Sequence, residues 1–288
     1  MKNLYAVFQR YSRLCKIRIS LLSSLAVAAG FTLSPLGLKH QLMFLIPGAF
    51  LLACGASSLN QYQERQLDAL MTRTCNRPLP AGQINPLYAL FFSITLMAAG
   101  LILLCTLSLI SAGLGLCAII WYNGVYTSFK KKSSIAVIPG ALTGAAAPAI
   151  GWVSAGGSLT DYRIGVLCLC LFLWQVPHTW LLHLDYKDDY KKAGLPSLTD
   201  LFTETQLLRI IFIWIISTSV VTLFLSSGMM QTPFIGFFIF AISSWLFYWG
   251  IKLLREKDIS YALVFSKINI FMFFLLVLVS LDYLIISL

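Results

Sequence analysis

Residues 87–108 read LYALFFSITLMAAGLILLCTLS, a run without a single charged side chain. A helix of about 20 apolar residues crosses the ~30 Å hydrocarbon core of a bilayer, so this run predicts a transmembrane helix. The rest of the chain has the same character, since 58% of its 288 residues are hydrophobic and only 11% are charged. Soluble proteins carry about 25% charged residues. The composition therefore excludes a soluble globular protein.

Apolar runs of similar length recur along the whole chain, each bounded by charged or turn-forming residues. We expect nine transmembrane helices, over residues 19–36, 41–59, 87–108, 111–129, 134–155, 162–184, 207–227, 233–254 and 264–287. The connections are short, and the sequence has no obvious internal repeat. It therefore predicts an all-α integral membrane protein in which residues 1–288 form a single membrane domain.

The positive charges are distributed unevenly among the connections. The chain has 21 Lys and Arg residues and a formal net charge of +10. Of the 21, 19 precede the first span or lie in the even-numbered connections and the span ends that border them, leaving only Lys39 and Arg163 on the other side. Positively charged loops stay in the cytoplasm. We therefore expect a multi-pass protein of the inner or plasma membrane, with a cytoplasmic N-terminus and an external C-terminus. Topology accounts for the charge, so no nucleic acid partner is expected.

Acidic residues cluster in two segments on the predicted cytoplasmic side. In NQYQERQLD (60–68), Asn60, Glu64 and Asp68 are spaced by four. Because no helix breaker separates this segment from the preceding span, we expect it to extend that helix with the three side chains on one face. The second segment, DYKDDYKK (185–192), repeats the spacing with Asp185 and Asp189 and is expected to extend the helix over 162–184.

The two acidic stripes favour a bound cation. Like charges at i,i+4 repel each other on a bare helix, and oxygen ligands without Cys or His suit Mg²⁺. Solvated helix ends would show the same pattern, but its occurrence on two helices favours a metal. The residues that we expect to bind Mg²⁺ are Asn60, Glu64, Asp68, Asp185 and Asp189.

Basic residues flank both acidic stripes, among them Arg73, Arg77, Lys130 and Lys187. Arg offers bidentate contacts to phosphate and Lys a point charge, so together with a metal they could hold a polyanion. Membrane topology alone would also put positive charges here. The connection TRTCNRPLPAG (72–82) is compatible with a rigid loop that re-enters toward the site, and equally with an ordinary turn.

A third polar feature lies inside the sixth predicted span, FLWQVPHTWLLHLDY (172–186). Pro177 removes a backbone hydrogen bond there. Trp174, Gln175 and His178 bring polar groups to membrane depth, where such groups usually face the bundle interior. They are candidate substrate-binding residues, although a packing role is also compatible. The small-residue stretch GALTGAAAPAIGWVSAGG (140–157) would allow close helix packing or leave space for a flat ligand.

Together these motifs resemble the UbiA-type intramembrane prenyltransferases, which form a nine-helix bundle around a central cavity. The N-x3-E-x3-D pattern at 60–68 followed by RTCNRPLPAG is similar to their first acidic motif, and DYKDDYKKAG is similar to the second. Within this family the chain is most similar to the haem O synthases. The stretches that carry this similarity are YNGVYTSFKKKSS (122–134), GALTGAAAPAIGW (140–152) and WQVPHTW (174–180).

The resemblance implies a function and a role for each candidate. An allylic prenyl diphosphate, namely farnesyl diphosphate, would be ionised with the help of Mg²⁺, and its farnesyl group would be transferred to protoheme IX, converting haem b to haem O. The catalytic residues would be Asp68, Asp189, Arg77 and Lys130. The substrate-binding residues would be Arg73, Lys187, Tyr126, Trp174, Gln175 and His178.

Two features depart from the haem O synthase pattern and leave alternatives open. Glu64 stands where the family usually has Asp, and Asp185 and Asp188 are additional acids that resemble those of aromatic prenyltransferases. An aromatic quinone precursor or another lipid is therefore the alternative acceptor. A secondary transporter built around the interrupted sixth span is a third interpretation. The acids of such a transporter would be expected at the membrane midplane, whereas those of this chain cluster at one face.

Overall fold

The structure, a computed structural model, describes residues 2–256 and 259–286, and this part of the chain is helical without β-strands. Its helices are α1 (Lys2–Leu14), α2 (Ile17–Leu33), α3 (Leu42–Leu70), α4 (Pro86–Cys105), α5 (Leu109–Ile119), α6 (Thr127–Phe129), α7 (Val137–Ser154), α8 (Tyr162–Asp185), α9 (Lys187–Lys192), α10 (Glu204–Gly228), α11 (Pro233–Arg255) and α12 (Tyr261–Ile286). Between α5 and α6 the chain continues as a π-helix, Ile120–Tyr126.

Eight segments of the described chain are long and apolar enough to cross a membrane, and a ninth is present if α1 and α2 are counted as one span bent by 55°. By itself α2 has 17 residues. The predicted all-α membrane class is confirmed, and nine spans agree with this count. Residue 287, at the end of the last predicted span, and Leu288 lie outside the described residues.

Long helices begin at residues that satisfy their free backbone N–H groups. Asn85 precedes α4 and accepts a hydrogen bond from the backbone N–H of Leu87. Asp161 precedes α8 and accepts one from the backbone N–H of Arg163. Such caps typically stabilise a helix by about 1 kcal/mol and define where it begins.

The small-residue stretch 140–157 lets α7 pack closely against α2. A Cβ atom added at Gly151 would lie 1.8 Å from the carbonyl oxygen of Val27, and one at Gly30 would lie 1.9 Å from that of Pro148. Only glycine permits backbones to approach this closely. Helix α7 also packs against α5 and α8, and so it holds the helices that surround the site.

The two acidic segments differ in structure. Helix α3 runs without interruption to Leu70, which confirms that residues 60–68 extend the preceding span. The expectation that residues 185–192 extend α8 is wrong, because Tyr186 leaves the helical conformation (φ −115°, ψ 29°) and α9 begins at Lys187. Asp185 and Asp189 therefore do not share a helical face. The turn brings Asp189 into contact with residues 72–73 instead.

Candidate active site

A cavity of about 1060 Å³ extends into the bundle between α2, α3, α7, α8 and α12. Its lining changes along α3 from Ala49 and Leu52 to Asn60, Glu64 and Asp68. At 1.5 Å per residue this succession covers roughly 28 Å. The cavity is therefore apolar over one part of its length and polar over the other.

The polar part contains the first acidic motif. Asn60, Glu64 and Asp68 are buried, with 2%, 7% and 4% of their surface exposed, and all three line the cavity. They lie on successive turns of α3, so the predicted stripe on one helical face is present. Groups of this polarity are seldom buried without charged partners.

Each member of this stripe has its own cationic partner. These contacts are Lys16 Nζ to Asn60 Oδ1 at 3.3 Å, Lys130 Nζ to Glu64 Oε1 at 2.5 Å, and Arg77 Nη1 to both carboxylate oxygens of Asp68 at 2.9 and 2.7 Å. The cations come from three different parts of the chain. All of them line the cavity, so positive charges alternate with oxygen donors around a single space.

Lys16 is a site residue that the sequence analysis missed, because it counted this lysine only toward membrane topology. It lies in the break between α1 and α2 with a left-handed backbone conformation, φ 47°. Its side chain lies near two other cations, Arg77 and Lys130, with which it lines the cavity. A bound anion would favour its charged form.

The second acidic motif contacts the loop between α3 and α4. Asp189 is buried and accepts hydrogen bonds from the hydroxyl of Thr72 and, at 2.9 Å, from the backbone N–H of Arg73. The Thr72 hydroxyl and then the Arg73 N–H hold the pKa of the Asp189 carboxyl below its ordinary value. Arg73 and Arg77 line the cavity, so the loop does turn back toward the site.

Three predicted site residues do not line the cavity. The side chains of Asp185 and Lys187 are exposed, and neither residue belongs to the cavity wall. Asp189 does not line it either, because its carboxylate is bound by residues 72–73. In this structure the acidic lining comes from the first motif.

The π-helix between α5 and α6 arranges two tyrosines on the cavity wall. The rings of Tyr122 and Tyr126 stack with centroids 5.9 Å apart and an interplanar angle of 20°. Lys130 Nζ lies 5.3 Å from the Tyr126 ring centroid. Gly140 makes room for this ring, since a Cβ atom there would lie 2.5 Å from it. Because π-helices are frequently found at functional sites, this segment supports the candidate role of Tyr126.

The polar residues of α8 line the cavity and bind α12. Trp174 Nε1 donates a hydrogen bond to the Ile268 carbonyl at 2.9 Å, and His178 Nδ1 lies 2.8 Å from Asn269 Oδ1. Gln175 also lines the cavity, opposite Gly144. The sequence analysis missed Asn269, because a single Asn in an apolar span does not indicate which helix it meets.

Comparisons with known proteins agree with this arrangement. The model of the UbiA prenyltransferase family matches residues 19–278. A protoheme IX farnesyltransferase from Geobacter sulfurreducens is 43% identical over 182 residues, which cover 63% of this chain and 67% of that protein. Another, from Christiangramia forsetii, is 32% identical over 272 residues, or 92% and 90% of the two chains.

Solved structures show the same fold at low sequence identity. A digeranylgeranylglyceryl phosphate synthase superposes with a TM-score of 0.75 and 17% identity, covering 98% of this chain and 99% of that one. A UbiA homologue from Archaeoglobus fulgidus, bound to GPP and Mg²⁺, superposes with a TM-score of 0.73 and 19% identity. The match covers 97% of this chain and 100% of that one. With the family match over most of its length, the chain belongs to the UbiA prenyltransferase family and is a membrane-embedded prenyltransferase.

Proposed function

We propose that this prenyltransferase transfers a farnesyl group from farnesyl diphosphate to protoheme IX, converting haem b to haem O. The observation that carries the proposal is that one continuous cavity joins the buried cluster of carboxylates and cations to a wall that is otherwise apolar but contains Trp174 and His178. Its volume of about 1060 Å³ is at the upper end of the usual range for ligand pockets. Relatives named protoheme IX farnesyltransferase support this acceptor.

The residues of the polar part fit Mg²⁺. Their donors are the amide oxygen of Asn60 and the carboxylates of Glu64 and Asp68, without sulfur or imidazole in the set. Within the described residues, no three His, Cys, Asp or Glu side chains come together as a ready-made metal site. Mg²⁺ commonly takes only one or two carboxylates, with phosphate and water as its other ligands. Asn60, Glu64 and Asp68 would hold it together with the diphosphate.

The cations of the site are proposed to bind the diphosphate. Lys16, Arg77 and Lys130 already surround the acidic stripe, and Arg73 extends this positive wall into the loop. Because Glu64 and Asp68 would also be neutralised by bound Mg²⁺, Lys130 and Arg77 would be free to bind phosphate oxygens. Bound Mg²⁺ supplies additional neutralisation of the leaving diphosphate.

The reaction needs stabilisation of the departing diphosphate at one end of the cavity and an apolar space further in for the farnesyl chain and the porphyrin. The bond between C1 of the farnesyl group and the diphosphate oxygen breaks, and the diphosphate leaves with both electrons. The π electrons of a haem vinyl group then form a bond to C1, and water adds to the inner vinyl carbon and loses a proton. Lys130 and Arg77 would stabilise the leaving charge. Tyr126 would offer an aromatic face to the substrate.

Asp189 is proposed to act through the loop that it holds. Its contacts with Thr72 and Arg73 fix the segment from which Arg73 and Arg77 reach the cavity. The exposed positions of Asp185 and Lys187 do not support a direct role for either. Asp185 and Asp188, the additional acids that suggested an aromatic acceptor, are both exposed and do not line the cavity.

We further propose that residues 1–288 form one membrane domain of the inner or plasma membrane, with the diphosphate end of the cavity at the cytoplasmic face. The 19 Lys and Arg residues on that side support this orientation. The diphosphate would then enter from the cytoplasm, and the apolar chain of the substrate would extend toward the bilayer centre.

Purified protein in lipid nanodiscs tests the proposed function. It is incubated with Mg²⁺ and farnesyl diphosphate, and with either haem b or a panel of aromatic quinone precursors, and the products are identified by mass spectrometry. We expect a hydroxyethylfarnesyl haem that requires Mg²⁺. A prenylated aromatic ring together with unmodified haem would transfer the assignment to the alternative acceptor.

A further inference from the structure

His178 lies in a chain of contacts between α8 and α12. Its Nδ1 is 2.8 Å from Oδ1 of Asn269, and Nδ2 of Asn269 donates a hydrogen bond to the carbonyl oxygen of Phe265 at 2.7 Å. The imidazole also lies between two aromatic rings, those of Trp174 and Phe265, each with its centroid 4.7 Å away. The ring therefore has one defined orientation.

The contact with Phe265 determines which way the Asn269 amide faces. Exchanging its nitrogen and oxygen would place two carbonyl oxygens 2.7 Å apart, without a hydrogen between them. Oδ1 must therefore face His178, and an amide oxygen can only accept a hydrogen bond. It follows that Nδ1 of His178 carries the proton and donates a hydrogen bond to Oδ1.

This hydrogen bond determines the chemistry of the other ring nitrogen. In a neutral imidazole protonated at Nδ1, Nε2 carries a free lone pair. His178 lines the cavity, and none of the hydrogen bonds found among the described residues involves its Nε2. The lone pair is therefore available to an electron-pair acceptor in the cavity. A metal-binding histidine typically has this arrangement, with its second nitrogen bound to an amide or carboxylate oxygen.

We propose that Nε2 of His178 binds the iron of the porphyrin acceptor as an axial ligand, and that Asn269 is the positioning residue that fixes the required tautomer. This inference rests on the proposed function, because it assumes that haem is the acceptor. One axial bond would fix the distance of the porphyrin plane from α8. Trp174 and Phe265 would keep the imidazole from rotating, so the vinyl groups would be held at a fixed depth relative to the diphosphate end.

The experiment separates iron ligation from general porphyrin binding. Ferric haem b and metal-free protoporphyrin IX are titrated separately into the purified full-length protein, and the Soret band is recorded. The variants are His178→Ala, Asn269→Leu, Asn269→Asp and His183→Ala, which removes a second histidine that lines the cavity. Ser280→Ala is the matched control, because it removes a side-chain hydrogen bond to the backbone of α12 at a residue that does not line the cavity.

We expect the Soret band of histidine-ligated haem in the wild type and in Ser280→Ala, and its loss in His178→Ala. Asn269→Leu should weaken haem binding by about 10- to 100-fold, the usual cost of losing such a supporting hydrogen bond. Its affinity for protoporphyrin IX and its KM for farnesyl diphosphate should not change. Asn269→Asp, which keeps an acceptor for Nδ1–H, should recover much of the haem affinity.

Two results would overturn the inference while leaving the proposed function intact. One is formation of haem O by the wild type together with unchanged haem affinity and spectrum in Asn269→Leu. The other is a histidine-ligated spectrum that persists in His178→Ala and disappears in His183→Ala. If the wild type neither binds nor farnesylates haem, the proposed function fails as well.

Discussion

Lys130 Nζ lies 2.5 Å from Glu64 Oε1, and this ion pair joins the chain following α6 to the cavity face of α3. Glu64 is one of three oxygen-bearing residues on that face, and the other two also contact cations from distant parts of the chain. Both carboxylates of the cluster are therefore already paired with a cation before any ligand arrives. When a metal and a diphosphate bind, the carboxylates can pair with the metal and the basic side chains with the diphosphate. No buried charge is then left without a partner.

Glu64→Asp should retain prenyl transfer, whereas Glu64→Ala should lose it. Aspartate keeps both the carboxylate that faces Lys130 and an oxygen donor for Mg²⁺, while alanine removes both. Lys130→Met should lower turnover by about 100-fold, as expected when one charge-stabilising group is removed from a transition state. Initial rates with farnesyl diphosphate measure all three variants. Full activity of Glu64→Ala would exclude this residue from the site.

Asp68→Ala should abolish turnover but leave a folded protein in the membrane, because Asp68 faces the cavity rather than the packed core. Chelation of Mg²⁺ from the wild type should have the same effect and should be reversed by adding the metal back. The measurements are product formation across a Mg²⁺ titration and the elution profile of the detergent-solubilised protein. Normal turnover of Asp68→Ala at limiting Mg²⁺ would contradict the metal assignment.

Asp189→Ala should lower turnover strongly, because the loop carrying Arg73 and Arg77 loses its contacts with Thr72 and the Arg73 backbone. The Mg²⁺ concentration for half-maximal activity should stay unchanged if Asp189 acts through the loop. Asp188→Ala is the matched control, because Asp188 is the adjacent residue and its carboxylate is exposed. A rise in the Mg²⁺ requirement of Asp189→Ala would instead place it among the metal ligands.

Both acidic motifs should face the cytoplasm, because they lie on the side of the membrane that carries most of the Lys and Arg residues, and positively charged connections stay in the cytoplasm. Fusions of alkaline phosphatase and of a fluorescent protein after residues 70 and 190 can report the side of each motif. We expect fluorescence and no phosphatase activity at both positions. Active phosphatase at either one would reverse the proposed orientation. A fusion after Leu288 should give the opposite result.

Gly151→Ala should destabilise the bundle by about 1–3 kcal/mol, because its Cβ would collide with the carbonyl of Val27. Gly165→Ala is the matched control, since a Cβ at that helical position meets no atom within 4 Å. This substitution should be neutral or slightly stabilising, because the helix propensity of alanine is more favourable than that of glycine by about 1 kcal/mol. Thermal unfolding in detergent measures both variants. Equal melting temperatures would show that the contact between α2 and α7 can relax.

Local sequence was sufficient for the spans and for the first acidic motif. A run such as 87–108 is apolar enough to partition into a bilayer whatever its neighbours do, so its helix, α4, could be predicted from composition alone. The stripe of Asn60, Glu64 and Asp68 needed only an unbroken helix, and the sequence from Asn60 to Leu70 contains no Pro or Gly that would end one.

Tertiary structure alone decided which groups meet. Spacing by four suggested a shared face for Asp185 and Asp189, but contacts with residues 72–73, more than 110 positions away in sequence, hold Asp189 in a separate helix. The pairing of His178 with Asn269 likewise joins residues 91 positions apart. Helical periodicity reports on neighbours within a few turns, whereas these partners are set by how α3, α8 and α12 pack around the cavity.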